Sequence, residues 1–141
     1  TLECVVHGYL TLMVSEYCAL GSFLGDLHTG RCKEPCRKGE YWLKDRMNEI
    51  FPVVTDQFCR MHVLNAKELS LLPHVPRFES MGINRIRIEG KAASVEHVAR
   101  ITRLYRELLD LGERHPLLAG EGIKAVEHED ITRGHYFRGV L

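Results

Sequence analysis

The stretch that most constrains the fold is residues 84–111, where two periodicities follow one another. From 84 to 89 the chain alternates: Ile86 and Ile88 share one face, and Arg85, Arg87 and Glu89 share the other, which is the period of a β-strand. From 94 to 111, Val95, Val98, Thr102, Tyr105 and Leu109 recur at helical spacing. Ser94 is placed to cap the start, and Gly112 and Pro116 close the end. A strand running into a long helix is a βα unit, so the predicted fold class is α/β.

The remaining sequence supplies more strand than helix. Apolar runs at 2–6 and 10–14, joined by His7-Gly8-Tyr9, read as buried strands. Ser15 is placed to cap a short helix through Cys18 to Leu24, and the Gly- and Pro-bearing stretch 25–39 reads as loop. Further strands are expected at 41–44, 50–54 and 60–64. A helix is expected at 65–72, capped by Asn65 and ended by Pro73 and Pro76. The tail, 131–141, reads as loop plus a short strand.

At 141 residues, 45% of them hydrophobic, residues 1–141 are expected to form a single domain. The 19 basic and 19 acidic residues cancel, leaving no global electrostatic footprint for non-specific nucleic-acid or membrane binding. A local RNA-binding patch stays open. No apolar run approaches the roughly 20 residues of a membrane helix, and the first residues lack the basic region of a signal peptide. The chain has no initiator Met and starts in strand-like sequence. It is therefore expected to be a piece of a longer protein, whose remainder partners its outer elements.

Five cysteines, an odd number without a secretory signal, fit a reducing, cytoplasmic setting better than a disulfide framework. Four of them, Cys18, Cys32, Cys36 and Cys59, form C-x13-C-x3-C-x22-C. Four soft thiolates suit Zn²⁺ or an iron–sulfur cluster. Cys32 and Cys36 lie in a loop flanked by Gly30, Pro35 and Gly39, able to wrap a compact object. Arg31, Lys33, Arg37 and Lys38 nearby favour thiolate over thiol. Spacing alone leaves a metal site and a set of unreactive packing thiols equally open; for Cys4, in an apolar strand, packing is the simpler reading.

The motif order resembles the peptidase U32 family, also called collagenase-like proteases. Glu3, Gly8, Leu10, Cys18 and Leu20 match the family signature in register, while Val5, Tyr9, Thr11, Glu16 and Gly21 depart from it. G-R-C-K-E-P-C-R, L-N-A-K-E-L from Leu64, I-R-I-E-G-K from Ile86 and the Tyr105-Arg106 helix resemble later family segments. These motifs span nearly the whole chain, corresponding to the C-terminal part of a family catalytic domain. The resemblance implies a partial (β/α) barrel-like domain with a cysteine-bearing loop insertion. It also implies a [4Fe–4S] cluster on cysteines, with zinc as the alternative metal. Cys59 would replace the family cysteine missing at Thr11.

Branches of the family with such clusters support oxygen-independent hydroxylation of RNA bases or of a quinone precursor. RNA or a small molecule is therefore the implied substrate, and a homologous subunit a possible partner. Two alternatives stand beside this reading: a metal- or cysteine-dependent peptidase, and a non-enzymatic zinc-stabilised module.

Outside the cysteines, Glu89 ends a strand at the position where α/β barrels place active sites. Arg87 shares its face, and Lys91 follows Gly90. This Arg–Glu–Lys group is a candidate for anion binding or proton transfer, against a structural salt bridge. His7 ends the first strand similarly and shares a face with Glu3 only if alternation survives between them. His62 is expected to point away from Cys59, and His135 is the tail's one candidate. His28, His97 and His115 receive no function from the sequence, and no G-x-S-x-G supports a serine hydrolase.

Overall fold

The computed structural model describes residues 1–118, 123, 127 and 131–134. The chain is a mixed α/β protein that divides into two compact units, Thr1–Tyr9 with Lys67–Leu141, and Leu10–Ala66. No helix among the described residues is long and apolar enough to cross a membrane. The two sheets are open four-stranded arrays, and no closed barrel is formed among the described residues.

In the first unit the strands β1 (Glu3–Gly8), β6 (Glu68–Ser70), β7 (Arg85–Glu89) and β8 (Ile131–Thr132) lie in the order β7-β1-β6-β8. Strand β7 runs parallel to β1, with Glu3 opposite Arg85 and Gly8 opposite Glu89, while β6 is antiparallel to β1. Helix α2 (Val95–Leu111) follows β7, completing the expected βα unit. The Ser94 hydroxyl accepts from the His97 backbone N–H at 3.2 Å, as an N-cap should. The buried stripe of α2 is Ile101, Leu104, Tyr105 and Leu108, one helical face offset from the expected one. Val95 and Leu109, expected inside, are 80% and 43% exposed. Leu69, Leu71, Leu72, Val75 and Phe78 supply much of the rest of this core.

The expected helix at 65–72 is not formed; residues 68–70 are strand instead. Backbone pairing explains the difference. Strand β6 sits between β1 and β8, and Glu68, Leu69 and Ser70 are all buried, so ladder bonds and burial override local helix propensity.

In the second unit β2 (Thr11–Ser15), β3 (Tyr41–Lys44), β4 (Ile50–Thr55) and β5 (Met61–Leu64) form an antiparallel sheet in the order β2-β5-β4-β3. Its core is Val53, Met61 and Val63, against which Ala19 and Leu20 of α1 (Ala19–Leu24), Tyr41 and Phe51 pack. Two aspartates shape the hairpin turns alike. Asp45 Oδ1 accepts from Met47 N and Glu49 N, and Asp56 Oδ1 from Phe58 N and Arg60 N. The fourth residue of each turn is left-handed, Asn48 at φ 67° and Cys59 at φ 59°.

Candidate functional site

The expected alternation of β7 is present, and it gathers acids around Arg87. Arg87 Nε lies 2.9 Å from Glu89 Oε1, and Nη1 lies 3.2 Å from Glu3 Oε1. This is a partly exposed ion-pair set, with Lys91 exposed just beyond it. His7 does not join it. The β1–β7 register shifts between Val5 and His7, so Val5 faces Arg87 whereas His7 faces Ile88. One extra residue in the strand thus carries His7 to the face opposite Glu3 and Arg87. Gly8 permits the approach of backbone rather than of a ligand. Its φ is +108°, and a Cβ there would lie 2.0 Å from the Glu89 carbonyl oxygen.

On its own face His7 is 2% exposed and enters a buried polar group. Tyr105 donates its hydroxyl proton to Val6 O at 2.7 Å, and the Leu71 backbone N–H points to the same hydroxyl at 3.2 Å. His7 Nδ1 lies 3.3 Å from that oxygen. Because the Tyr105 proton is already committed, Nδ1 must be the donor. Burial pushes the Tyr105 phenol far above its usual range, outweighing the Leu71 N–H, so it stays protonated. His7 Nε2 is 3.2 Å from Glu68 Oε1, but the approach is off the hydrogen-bond direction, and Nε2 has no hydrogen-bond partner. His97 Nε2 meets the same carboxylate oxygen at 3.0 Å.

The donor atoms of His7, Glu68 and His97 all lie within 4.8 Å of one another, and this is the one such group of three among the described residues. Beside it, Ser70 Oγ donates to Glu127, and Arg133 clamps Glu127 with two bonds of 2.7 Å. Partial burial raises the Glu127 carboxyl, but the Arg133 and Ser70 hydrogen bonds outweigh it and hold the group below the ordinary carboxylate value.

Glu68 and His97 escape sequence reasoning for identifiable reasons. Glu68 falls in the segment expected to be helical, where its orientation cannot be read. His97 belongs to the α2 face that continues through Ile101, Leu104, Tyr105 and Leu108 at i, i+4, i+7, i+8 and i+11. The offset stripe was the available signal.

The cysteines lie in the second unit. Cys18, rather than Ser15, caps α1, and its Sγ accepts from the Gly21 N–H at 3.3 Å. Ser15 instead turns locally onto the Tyr17 backbone. Cys32 Sγ accepts from the Glu34 N–H at 3.4 Å. A Cβ on Gly21 would lie 3.3 Å from Cys32 Sγ and 3.6 Å from Cys18 Sγ, so both sulfurs face the space that this buried glycine leaves. Cys36 sits in the 3₁₀ turn Pro35–Arg37, which packs against α1.

Cys59 is exposed on the β4–β5 turn. Ser15 pairs with Met61, so Cys18 and Cys59 leave the sheet from the same end of the β2–β5 pair. Two of the basic residues flanking the thiols are engaged locally, Lys33 with Asp26 and Arg37 with Glu34. His62 bonds Asp56 at 3.2 Å. Partial desolvation raises the Asp56 carboxyl, but His62, Arg60 and Phe58 hold it far below its usual range. His135 lies outside the described residues.

The family model for peptidase family U32 matches residues 1–139. The chain belongs to that family. An uncharacterized protease of Methanocaldococcus jannaschii is 28% identical over 99% of this chain and 35% of its own length. A tRNA hydroxylation protein P of Helicobacter pylori is 31% identical over 77% of this chain and 27% of its own. A collagenase of Porphyromonas gingivalis is 26% identical over 77% of this chain and 26% of its own. The chain thus spans about a third or less of the length of these relatives. No solved structure matches it.

Proposed function

We propose that this chain is the cysteine-bearing part of an iron–sulfur member of the U32 family. Cys18, Cys32, Cys36 and Cys59 would hold a [4Fe–4S] cluster. The parent protein, completed as a (β/α) barrel by the rest of its own chain, would hydroxylate an RNA base or a quinone precursor without oxygen. The observation that carries this reading is the convergence of Cys18 and Cys32 on the space over Gly21, each sulfur met by a backbone N–H. Such bonds to sulfur tune a cluster's potential. Bound there, the cluster would supply one-electron transfer.

The chain's own residues have separate tasks. Gly21 and Gly25 keep side chains away from Cys32 Sγ, and the Cys18 cap fixes its sulfur at the start of α1. Cys59 occupies a left-handed turn position that asparagine fills in the sister turn, a conformation unfavourable to cysteine, which fits retention of this thiol for ligation. Names among the relatives favour RNA as the substrate class: tRNA hydroxylation proteins and a 23S rRNA 5-hydroxycytidine synthase.

A single zinc ion is the poorer fit. It needs thiolates about 3.8 Å apart for a tetrahedral shell of Zn–S bonds near 2.3 Å, and among the described residues no three cysteines have sulfurs within 4.8 Å of one another. A cysteine peptidase is also a poorer fit, because Cys18 and Cys32 accept hydrogen bonds from backbone N–H groups rather than facing an imidazole base.

Protein purified without oxygen should be brown and contain iron and acid-labile sulfide. Cys32→Ser should abolish both, and Cys59→Ser should lower them. Colourless wild-type protein carrying one zinc would defeat the cluster reading, and an intact cluster in Cys59→Ser would remove Cys59 from the ligand set. Loss of hydroxylated nucleosides from tRNA or rRNA in cells lacking the parent protein would establish the substrate class.

A further inference from the structure

We infer that His7, Glu68 and His97 form a second metal site, a two-histidine, one-carboxylate centre for a divalent first-row transition ion. It is independent of the cysteines. Each of the three residues offers one ligand atom within 4.8 Å of the others, as a shared ion requires. His7 and Glu68 are each only 2% exposed.

The decisive atom is His7 Nε2. It is buried, lacks a hydrogen-bond partner and points into the group. Its protonation follows from the other side of the ring. The Tyr105 hydroxyl hydrogen is directed at Val6 O, so Nδ1 carries the ring proton and donates to the Tyr105 oxygen. In the tautomer protonated at Nδ1, His7 presents the lone pair of Nε2 3.2 Å from a carboxylate oxygen that is also electron-rich. Two such atoms repel unless a cation lies between them. A metal ion is that cation, and the Nδ1–H bond to a fixed acceptor is the second-layer support that metal-binding imidazoles use.

His97 completes the set. It now donates from Nε2 to Glu68, while Arg100 approaches its Nδ1 at 3.5 Å. Ligation moves the His97 ring proton to Nδ1 and requires the exposed Arg100 guanidinium to turn aside. Three protein ligands leave coordination open toward a small pocket that Leu72, Arg100, Ile101, Glu127 and Ile131 also line. The site stands at the carboxyl ends of the parallel strands β1 and β7, where α/β sheets place ligands. Imidazole and carboxylate together suit zinc, iron(II) and cobalt(II).

Cobalt(II) titrated into the metal-stripped chain tests the site. In the Cys32→Ser/Cys36→Ser double variant, which removes thiolate competition, the expected result is one ion bound through nitrogen and oxygen, giving ligand-field bands without sulfur-to-cobalt charge transfer. The same ligand-field signal should be present in the wild type beside thiolate-bound cobalt. It should weaken at least ~10-fold in affinity in His97→Gln, whose side chain is partly exposed and tolerant of replacement, and in Tyr105→Phe, which removes the acceptor of His7 Nδ1. Zinc(II) should raise the melting temperature of the wild type and of the cysteine variant, but not that of the cysteine variant carrying His97→Gln. Absence of binding in the wild type, or binding unchanged by His97→Gln, overturns the site. Binding confined to thiolates overturns it too and leaves the cysteine reading standing.

Discussion

The two units are held in opposite ways. The first buries polar groups, with His7, Glu68 and Ser70 at 2% exposure or less, and ties them across long stretches of chain. His7 and Tyr105 are 98 positions apart, and Leu71 and Tyr105 are 34 apart. The second leaves large apolar side chains in solvent, Phe23 at 81%, Met47 at 82% and Phe58 at 68%, and its polar order is local. Asp45 and Asp56 each bond groups within six residues of themselves. A buried polar network fixes geometry because any displaced partner bears the full cost of desolvation. A turn-built loop fixes geometry only nearby, which suits carriers of soft ligands whose final spacing the metal sets.

Substitutions can break this contrast in graded steps. The largest effect is expected at Gly8→Ala, where the new methyl would collide with the Glu89 carbonyl at a positive φ. A loss of about 3 kcal/mol or more should appear in urea unfolding; a loss below about 1 kcal/mol would mean that the β1–β7 contact yields easily. Next comes Tyr105→Phe, which strands His7 Nδ1 in the core. About 1–3 kcal/mol should be lost, because a buried donor is left unsatisfied.

In the second unit Gly21→Ala should change stability by less than about 1 kcal/mol, since better helix propensity offsets crowding at the sulfurs. Iron content per chain should nevertheless fall. If stability fell as far as in the first unit, the loop would be as rigid as the network, and the contrast would fail.

The smallest effect concerns pH. Glu127 has a folded pKa below its ordinary value of 4.5, so its contribution is complete above about that pH and is lost as pH falls through the lower folded value. The stability gap between wild type and Glu127→Gln should therefore be present at neutral pH and close in acid. A gap that widens on acidification would contradict the assigned Arg133 clamp.

Legibility in the sequence followed the range of the interactions. Strand 41–44 and the capped helix from Ser94 to Gly112 were readable because alternation, caps and terminators are local signals. The cysteine loop and the Arg87–Glu89 face were readable for the same reason. Strand β6 was not, since its backbone bonds come from β1 and β8 and its own residues favour helix. With β6 went Glu68, and with the offset stripe of α2 went His97. His7 was singled out as a strand-end residue, but its face depended on a register shift that alternation cannot encode.

That shift lets one short strand serve two separate chemistries. Up to Val5, β1 presents Glu3 to a guanidinium on an open surface; from His7 onward it presents an imidazole to a sealed interior. Closing the bulge without removing a residue would restore strict alternation, pair Val6 with Ile88 and His7 with Glu89, and exchange the assignments. The imidazole would then stand in solvent beside Arg87, and Tyr105, Glu68 and His97 would face an aliphatic side chain. A frame of one residue, rather than any change of residue type, separates a surface ion pair from a buried centre.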